Sequence, residues 1–388
     1  MKNRILVISG VPYKDGGSNA ALLENILFLR DEYEFLVIVP VEESFTKQLE
    51  QHKIKFKTVN SVFWRHSSYK KETKKRLLKK IILNFIADIK IYQIIKKNKI
   101  DLVHINVSAV GIGWLASKIA KRKTIWHLRE LNDIDQDSPL DFPKISAAMF
   151  RRSTLVPISK FVYDYYKHYL GSNTSFNIIS DGINTKPLVG IGFLPVEKKD
   201  VLNIGFLGGY QQHKGLGTVL ESLAVLKEKH GELKFHLNVY GTQFEESSHL
   251  YKRQAELIGV SKHVTFHRFA DNLVDVYSSS DIVISAGLEA FGRVVAETIV
   301  SGRIAIGVNQ GATPELIQDG LNGYIFEQGN PMSLAEKLTL VADNWNQLVE
   351  NIKNSRLQSQ KKLSSDRTAE NIGILYKNLI NGTDYGKE

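Results

Sequence analysis

Short apolar runs recur along the chain, and a helix-length segment separates each run from the next. Most runs are continuous stretches of Val, Ile and Leu, which is typical of parallel strands buried on both faces. The predicted strands of the first half lie in RILVIS, FLVIVP, DLVHINV, TIWHL, TLVPIS and FNIIS, and those of the second half in NIGFLG, LKFHLNVYG, VTFHRF, DIVISAG, RIAIGV and GYIFEQ. The pattern predicts a doubly wound α/β fold in each half.

The pattern breaks between the halves, in TKPLVGIGFLPVEKKD, where Pro, Gly and charged residues replace it. We therefore expect a first Rossmann-like domain at residues 1–184, a linker at 185–201 and a second Rossmann-like domain at 202–365. A chain of 388 residues is long enough for two cores of normal size. After a polar stretch, a last helix with an apolar face is predicted at 366–384. It could pack on the second domain or back on the first.

Composition removes several function classes. The chain has no cysteine, so disulfides and thiolate metal sites are excluded. No stretch approaches the ~20 apolar residues of a membrane-spanning helix, and the first apolar run is shorter than a signal-peptide core. We expect a cytoplasmic protein.

The net charge of +10 lies in one segment, since residues 65–99 hold twelve Lys or Arg and two acidic residues. Six apolar residues of this segment fall at helical spacing: Leu78, Ile81, Ile82, Phe85, Ile86 and Ile89. One interpretation is a helix that packs on the first sheet and keeps its lysines in water. Nucleic acid binding is disfavoured because aromatic residues for base stacking are few.

The interpretation that we favour is docking on an anionic membrane surface, to which each Lys or Arg contributes roughly 1 kcal/mol. Such attachment suits a lipid-linked acceptor at the inner face of the cell membrane. The expected docking residues are Lys70, Lys71, Lys74, Lys75, Arg76, Lys79 and Lys80.

The stretch LEAFGRVVAE, residues 288–297, follows a predicted strand and opens a predicted helix. If the helix begins near Gly292, its first amides, those of Arg293 and Val294, face any anion bound beyond the strand end. Glu297 lies about one and a half turns into the helix, and Glu289 lies in the loop before it. A plain helix start with a favourable acidic residue is the alternative.

The pattern E-x-F-G-x-x-x-x-E followed by SGRIAIGVNQGATPELIQDGLNGYIF resembles the donor domain of retaining GT-B glycosyltransferases of family 4. Other stretches resemble that family in the same order: DGGSNAALLENILFLRDEYEFLVIVP, VPISKFVYDYY, IISDGIN and FLGGYQQHKGLGTVLESLAVL. The resemblance covers nearly the whole chain. It implies two Rossmann-like domains that face each other across a cleft.

The resemblance also implies roles for single residues. Glu297 would bind the nucleotide ribose, Glu289 the donor sugar, and Lys214 the diphosphate. His127 in TIWHLRE matches the family histidine near the anomeric centre, although a histidine that ends an apolar strand is more often structural. The expected catalytic residues are His127, Glu289 and Lys214, and the expected donor-binding residues are Gly16, Gly17, Gly209, Phe291, Gly292, Arg293, Val294 and Glu297.

Two departures from the family pattern stand out. Gly209 in LGGYQQHKG occupies the place of an expected arginine, and the turn Asp181-Gly182-Ile183-Asn184 has its acid and amide exchanged. No metal or other cofactor is expected, because amides and a lysine can stabilise the leaving diphosphate. The acidic stretch LNDIDQDSPLD could be mistaken for a metal motif, but it lies in a polar loop of the first half.

The sequence thus predicts a retaining, metal-independent hexosyltransferase in polysaccharide biosynthesis. Its partners would be a nucleotide-sugar donor, a glycan or polyprenyl-linked acceptor and an anionic membrane, but no nucleic acid. A sugar-nucleotide epimerase or phosphorylase of the same architecture, or a non-catalytic sugar-nucleotide-binding subunit, stays open as an alternative. A dinucleotide oxidoreductase is disfavoured, since no G-x-G-x-x-G follows the first strand.

Overall fold

The structure, a computed structural model, describes residues 2–10, 17–68, 73–135, 137–171, 174–231, 234–241, 245–268 and 272–382. The chain divides into two compact units, the first formed by residues 1–182 together with 365–388 and the second by residues 183–364. Each unit contains a six-stranded sheet whose paired strands run parallel.

The sheet of the first unit has the order β3-β2-β1-β4-β5-β6. Its strands are β1 (Asn3–Ile8), β2 (Tyr33–Val39), β3 (Lys55–Thr58), β4 (Leu102–Ile105), β5 (Lys123–Leu128) and β6 (Thr154–Pro157). The helices of this unit are α1 (Gly17–Leu29), α2 (Ser44–Gln51), α3 (Lys74–Lys97), α4 (Trp114–Ile119), α5 (Pro143–Phe150), α6 (Lys160–Leu170) and the last helix, α15 (Ser365–Asn381).

The sheet of the second unit has the order β12-β11-β10-β7-β8-β9, which repeats the first order when its own strands are numbered from one to six. Its strands are β7 (Leu202–Phe206), β8 (Phe235–Tyr240), β9 (Val264–His267), β10 (Ile282–Ser285), β11 (Ile304–Val308) and β12 (Gly323–Phe326). Its helices are α7 (Lys186–Val189), α8 (Leu216–His230), α9 (Glu245–Leu257), α10 (Leu273–Ser279), α11 (Arg293–Ser301), α12 (Thr313–Leu316), α13 (Pro331–Asp343) and α14 (Trp345–Lys362).

The continuous apolar runs are buried on both faces of each sheet. Residues Ile5, Leu6, Val7 and Ile8 of β1 are all 0% exposed, and the five residues of β11 are all buried. Because consecutive strand residues point to opposite faces, this burial requires cover on both sides. The predicted α/β fold of two doubly wound, Rossmann-like domains is confirmed.

One strand was not predicted and one predicted strand was wrong, and both differences concern the edges of the first sheet. The edge strand β3 has the sequence KFKT and is mostly exposed, so it carries no apolar run to detect. The stretch FNIIS, residues 176–180, forms no strand. The amides of Asn177 and Ile179 donate to carbonyls of β6, and Phe176 makes an isolated bridge to Leu155.

The segment 185–201, predicted to be a linker, packs into the second unit. It contains the short helix α7, and its residues Leu188, Ile191 and Leu194 are buried. Two buried arginines hold it by its carbonyls: Arg303 Nη2 donates to Gly192 O at 3.0 Å and Arg356 Nη2 donates to Leu188 O at 3.0 Å. The Pro and Gly residues end the strand pattern here, but the apolar residues between them still reach a core.

The last helix, α15, packs on α1 in the first unit. Gly373 permits the close approach, since a Cβ there would lie 2.8 Å from Leu29 Cδ2. Tyr33 OH donates to Gly373 O at 3.0 Å, and the rings of Tyr33 and Tyr376 meet edge to face. The preceding polar stretch, which the sequence analysis left without an element, lies mainly in α14.

The helix α3 packs on the protein with a different face from the one that carries the predicted row of six apolar residues. Its buried residues are Ala87, Asp88, Ile91 and Ile95, whereas the six apolar residues of the predicted stripe are exposed. The stripe therefore does not pack on the first sheet. None of the helices in the described part of the chain is both long and apolar enough to span a bilayer.

The basic residues of this segment differ in their surroundings. Lys70 and Lys71 lie outside the described residues. Four others are exposed in the first turns of α3: Lys74, Lys75, Arg76 and Lys79. The prediction was wrong for Lys80, which is turned inward. Its Nζ donates to Arg65 O at 2.9 Å and to Asp141 Oδ2 at 2.8 Å.

Arg356 should be a main support of the second unit. Its Nε donates to Val300 O at 3.0 Å, so Arg356→Leu would leave this carbonyl and those of Leu188 and Val189 without their charged donor. We expect the free energy of unfolding, measured with urea, to fall by about 2–4 kcal/mol. Lys361→Leu on the exposed face of α14 is the matched control and should change it by less than about 0.5 kcal/mol. Equal effects of the two changes would contradict this role.

Candidate functional site

The strand order of each sheet reverses at one place, between β1 and β4 in the first unit and between β7 and β10 in the second. Ligands of open parallel sheets bind beyond the carboxyl ends of the strands at such a reversal, because the loops diverge there and leave a crevice. The loops after β7 and β10 carry Lys214 and Glu289, and His127 lies at the same end of β5. The topology therefore puts these residues at the strand ends where ligands are expected.

The helix α11 begins where the sequence predicted. Gly292 is its N-terminal cap residue, with a left-handed φ of 86°, and no side chain caps the first turn. The first amides of a helix have no acceptor within the helix, and they carry its partial positive charge. The start of α11, at Arg293 and Val294, is thus suited to an anion.

Glu297 lies in the second turn of α11 and is 6% exposed. Its Oε1 accepts from Arg293 Nε at 2.9 Å, and its Oε2 accepts from Tyr277 OH at 2.8 Å. Burial and the neighbouring carboxylate of Glu297 raise the pKa of Tyr277 well above its usual value, so its hydroxyl stays a donor. The carboxylate is held in one orientation, and each oxygen keeps a second acceptor position.

Lys214 and Glu289 form an ion pair. Lys214 ends a short 3-10 turn before α8, and its Nζ lies 2.6 Å from Glu289 Oε1, with each side chain a little over one quarter exposed. A lysine that only one carboxylate holds at a partly open place can exchange that partner for a bound anion. The pair therefore offers one cation and one hydroxyl acceptor to a ligand.

Three glycines pack the loops around this pair. A Cβ on Gly215 would lie 2.5 Å from Ala286 O, one on Gly287 would lie 2.6 Å from His213 O, and one on Gly311 would lie 2.5 Å from Glu289 O. The loops after β7, β10 and β11 thus meet backbone to backbone. The sequence analysis did not single out these glycines, because each belongs to a different loop.

Gly209 has a left-handed φ of 71°, a conformation that residues with a side chain rarely adopt. A Cβ there would also lie 2.8 Å from Gln211 Oε1. Its amide donates to Tyr240 O at 3.3 Å, so this N–H is used within the protein. The local backbone explains why a glycine and not an arginine stands here.

The remaining predicted donor residues are also part of this region. Phe291 and Val294 are partly buried and pack on the apolar cluster around α11. The sequence analysis missed Thr313, a fully buried residue whose Oγ1 has no hydrogen-bond partner among the described residues. This hydroxyl lies 3.9 Å from the place of a Cβ on Gly292, close to the start of α11.

In the first unit, His127 is fully buried in a row of polar side chains. Tyr376 OH lies 2.6 Å from His104 Nδ1, and His104 Nε2 lies 3.2 Å from His127 Nδ1. Arg129 Nη2 lies 3.4 Å from the same His127 Nδ1. The row connects the last helix of the chain to the end of β5.

This row determines which nitrogen of His127 carries the proton. Arg129 has only donors, so His127 Nδ1 must accept and the proton is on Nε2. Burial, followed by Arg129 and His104, lowers the pKa of His127 well below its usual value, and burial and Arg129 lower the pKa of His104 to about 3. His127 is therefore neutral, and its Nε2–H has no partner among the described residues.

Arg129, which follows β5, contacts residues that follow two other strands of the first sheet. Its Nε donates to Asn106 Oδ1 at 3.1 Å, and Asn106 Nδ2 donates to Ser18 O at 3.1 Å. Its Nη1 forms a buried ion pair with Asp181 Oδ2. A buried arginine is costly without a paired acid, and Asp181, at the first position of the exchanged turn, supplies that acid.

Glu130 follows Arg129 and is 6% exposed. Burial, assisted by Asp135, raises its pKa to about 7, so the carboxyl group holds a proton for part of the time at neutral pH. Its Oε2 makes no hydrogen bond within the described residues. No local sequence pattern marks this protonation state, because burial of the folded chain creates it.

The predicted glycines and the acidic stretch of the first half add little to the site. Gly16 lies outside the described residues. Gly17 begins α1, and a Cβ there would contact no other part of the described chain within 4 Å beyond its neighbours in sequence and its own helix. In the acidic stretch of the first half, Asp133 Oδ1 accepts from Tyr165 OH at 2.7 Å. No group of three or more His, Asp or Glu side chains that could hold a metal ion occurs in the described ranges.

The row of polar side chains yields a test. Tyr376→Phe removes the donor to His104 Nδ1, so we expect the ¹⁵N signal of that nitrogen to move towards the value of an acceptor without a hydrogen bond. His127 should stay protonated on Nε2, because Arg129 still donates to its Nδ1. The unfolding free energy should fall by about 1–2 kcal/mol, because a buried acceptor is left unpaired.

Tyr33→Phe is the matched control, since it removes another buried hydroxyl that bonds to α15. It should cost about 1 kcal/mol and leave both histidine signals unchanged. The assigned tautomers are wrong if Tyr376→Phe leaves the His104 Nδ1 signal unchanged, or if the proton of His127 is found on Nδ1.

Comparison with known proteins agrees with this geometry. Residues 194–358 match the family Glycosyl transferases group 1, so Lys214, Glu289 and Glu297 lie inside the matched region. Spore coat protein SA of Bacillus subtilis strain 168 is 28% identical over 189 residues, which are 46% of this chain and 49% of that protein. The chain spans about half the length of the curated relatives that it matches.

Solved structures are similar over nearly the whole chain. A glycosyltransferase of Rickettsia africae ESF-5 superimposes with a TM-score of 0.79 at 20% identity, covering 98% of this chain and 100% of that one. HepE of Anabaena in complex with UDP and glucose superimposes with a TM-score of 0.77 at 18% identity, covering 97% of this chain and 100% of that one. The chain thus has the GT-B fold, and its residues 194–358 match the family Glycosyl transferases group 1.

Proposed function

We propose that the protein is a retaining, metal-independent glycosyltransferase that moves a hexose from a nucleotide-diphospho-sugar to a glycan or lipid-linked acceptor. The observation that carries the proposal is the Lys214–Glu289 ion pair beside the start of α11. Glu289 lies three residues before Gly292, the N-terminal cap residue, which has no side chain to occupy the first amides. A cation, a helix N-terminus and fixed carboxylates are the groups that a diphosphate and its two sugars require.

The diphosphate would bind to the first amides of α11 and to Lys214. Glu297 would accept hydrogen bonds from the ribose hydroxyls, and Glu289, with the backbone of Phe291 and Gly292, would hold the donor sugar. The structure of HepE with UDP and glucose supports a uridine nucleotide-sugar as the first donor to test.

Lys214 would neutralise more of the diphosphate charge in this chain than the family pattern implies. Gly209 supplies no cation where an arginine is expected, and Arg293 is paired with Glu297. Donor binding would exchange the Glu289 partner of Lys214 for a phosphate oxygen. The freed carboxylate could then accept a hydrogen bond from the sugar.

The reaction needs no base from the protein. The bond between the anomeric carbon and the diphosphate oxygen breaks, and the acceptor oxygen forms its bond on the same face of the sugar. The acceptor proton passes to the leaving diphosphate, whose charge Lys214 and the amides of α11 stabilise. In the first unit, His127 is neutral and protonated on Nε2, so it keeps an N–H that can donate a hydrogen bond to a sugar hydroxyl.

Lys214 and Glu289 should affect different parts of the donor. We expect Lys214→Met to weaken binding of UDP, GDP or ADP by about 10- to 100-fold, whichever nucleotide binds, because a charge-assisted bond is lost. Glu289→Gln should leave the affinity for the nucleoside diphosphate unchanged and weaken only the binding of the nucleotide-sugar.

Thermal shift measures both effects, since a ligand at 100 times its dissociation constant adds about 2.7 kcal/mol of stability. Lys262→Met, a change at an exposed lysine of the same unit, is the control. A nucleoside diphosphate that stabilises the Lys214→Met variant as much as the unchanged protein would contradict this site.

The reaction can be tested without a known acceptor. With the best-binding nucleotide-sugar, excess EDTA and water as the acceptor, we expect slow release of nucleoside diphosphate and of a sugar with the donor's anomeric configuration. Proton NMR, recorded before the released sugar equilibrates, measures both. An isomerised sugar would support an epimerase, and binding without turnover would support a silent subunit. Loss of turnover in EDTA would contradict metal independence.

A further inference from the structure

The helix α3 presents an apolar face that no part of the described chain covers. Its six members are between 45% and 58% exposed: Leu78, Ile81, Ile82, Phe85, Ile86 and Ile89. Single exposed apolar residues are normal on protein surfaces, but a contiguous row is a mark of an interaction surface. We call this row the α3 stripe.

The stripe is continuous and lies opposite the packed face of the helix. At 100° per residue, its members fall within one sector of the helix, and the buried residues Ala87, Ile91 and Ile95 fall on the other side. From Leu78 to Ile89 the row is about 17 Å long, at 1.5 Å per residue. The helix is therefore held to the protein by one face and offers the other to solvent.

The charges of α3 point to the kind of partner. Lys74, Lys75, Lys79 and Lys90 are exposed, and they lie beside the stripe or at its first turn. Asp88 is the sole acidic residue in the sequence of this helix, and it is turned inward. Its Oδ1 accepts from Gly113 N at 2.7 Å and from Ala116 N at 3.3 Å, so it caps α4.

We propose that α3 lies in the interface of an anionic membrane, with the α3 stripe among the lipid chains and the lysines at the headgroups. An apolar row with a lysine-rich border and no outward acid is the composition of helices that lie in a bilayer surface. Eight Lys or Arg residues lie along this helix, from its first turn to its last, so it would not cross the bilayer.

Two other occupants fit less well. A second copy of α3 would bring its lysines against those of the first, and like charges in an interface are unfavourable. Nucleic acid would find the lysines, but it would leave the apolar row in water. Neither uses both features of the helix, whereas an anionic lipid surface uses both.

This docking does not depend on the transferase reaction. Vesicle binding needs no donor, and donor binding in the second unit needs no vesicle. The two proposals therefore fail separately: a protein that binds vesicles and no nucleotide would disprove the function, and one that binds nucleotide and no vesicles would disprove the docking.

The experiment compares co-sedimentation with vesicles of phosphatidylglycerol and phosphatidylcholine to that with phosphatidylcholine alone. The unchanged protein should bind the mixed vesicles at least about tenfold more tightly. The triple variant Ile82→Gln, Phe85→Gln, Ile89→Gln should weaken that binding about tenfold or more, although it changes no charge. Its residues are exposed, so folding should be retained, and an unchanged circular dichroism spectrum and melting temperature would verify this.

Leu250→Gln with Leu257→Gln on α9 is the matched control, because these leucines are 71% and 78% exposed. This pair of changes should leave vesicle binding as it is. The charge variant Lys74→Glu, Lys75→Glu, Lys79→Glu should abolish the preference for phosphatidylglycerol. If the charge variant loses binding and the apolar variant does not, the lysines alone bind the vesicles, and the inserted stripe is disproved.

Insertion can be measured directly, since the chain has no cysteine of its own. Ile89→Cys, labelled with an environment-sensitive fluorophore, should show a blue-shifted emission on mixed vesicles, whereas labelled Leu257→Cys should not. Equal emission from the two labels would overturn the proposal. So would a dimer in sedimentation equilibrium that the triple variant converts to a monomer, because the stripe would then be an interface between two copies.

Discussion

The close packing of three loops at the carboxyl ends of β7, β10 and β11 is the constraint on which the second unit's chemistry depends. Gly215, Gly287 and Gly311 leave no room for a side chain, so the backbones of the loops touch. That contact brings Lys214 to within 2.6 Å of Glu289 across 75 residues of sequence. Without it, neither group would have a defined place beside the start of α11, and the site would have to assemble on binding.

Much of this could be predicted from the sequence. The buried strands carry long apolar runs, and Gly292 with its flanking acids marked the start of α11 correctly. The edge strand β3 could not be found, because its exposed residues follow no apolar pattern. The linker was misjudged because Pro and Gly end a strand pattern without preventing the residues between them from packing. The glycine contacts and the inward turn of Lys80 could not be found either, since they join positions that are distant in sequence.

The first unit shows the same limit in another form. Apolar spacing identified α3 as a helix with a stripe, but spacing alone does not say which face a helix buries, and the packed face proved to be the one around Ala87 and Ile91. The state of His127 was equally hidden, because it depends on burial and on the contacts of its Nδ1 with His104 and Arg129. A residue near the C-terminus, Tyr376, completes the same row of side chains through His104. Long-range contacts of this kind decide chemistry and leave no local mark in a sequence.

The most direct test of the central claim is a crystal structure of the protein soaked with the nucleoside diphosphate that stabilises it most. We expect the diphosphate to lie on the amides of Arg293 and Val294, Lys214 to have moved from Glu289 to a phosphate oxygen, and Glu297 to accept from the ribose hydroxyls. A nucleotide bound elsewhere, or a Lys214–Glu289 pair unchanged beside a bound diphosphate, would contradict the proposed site.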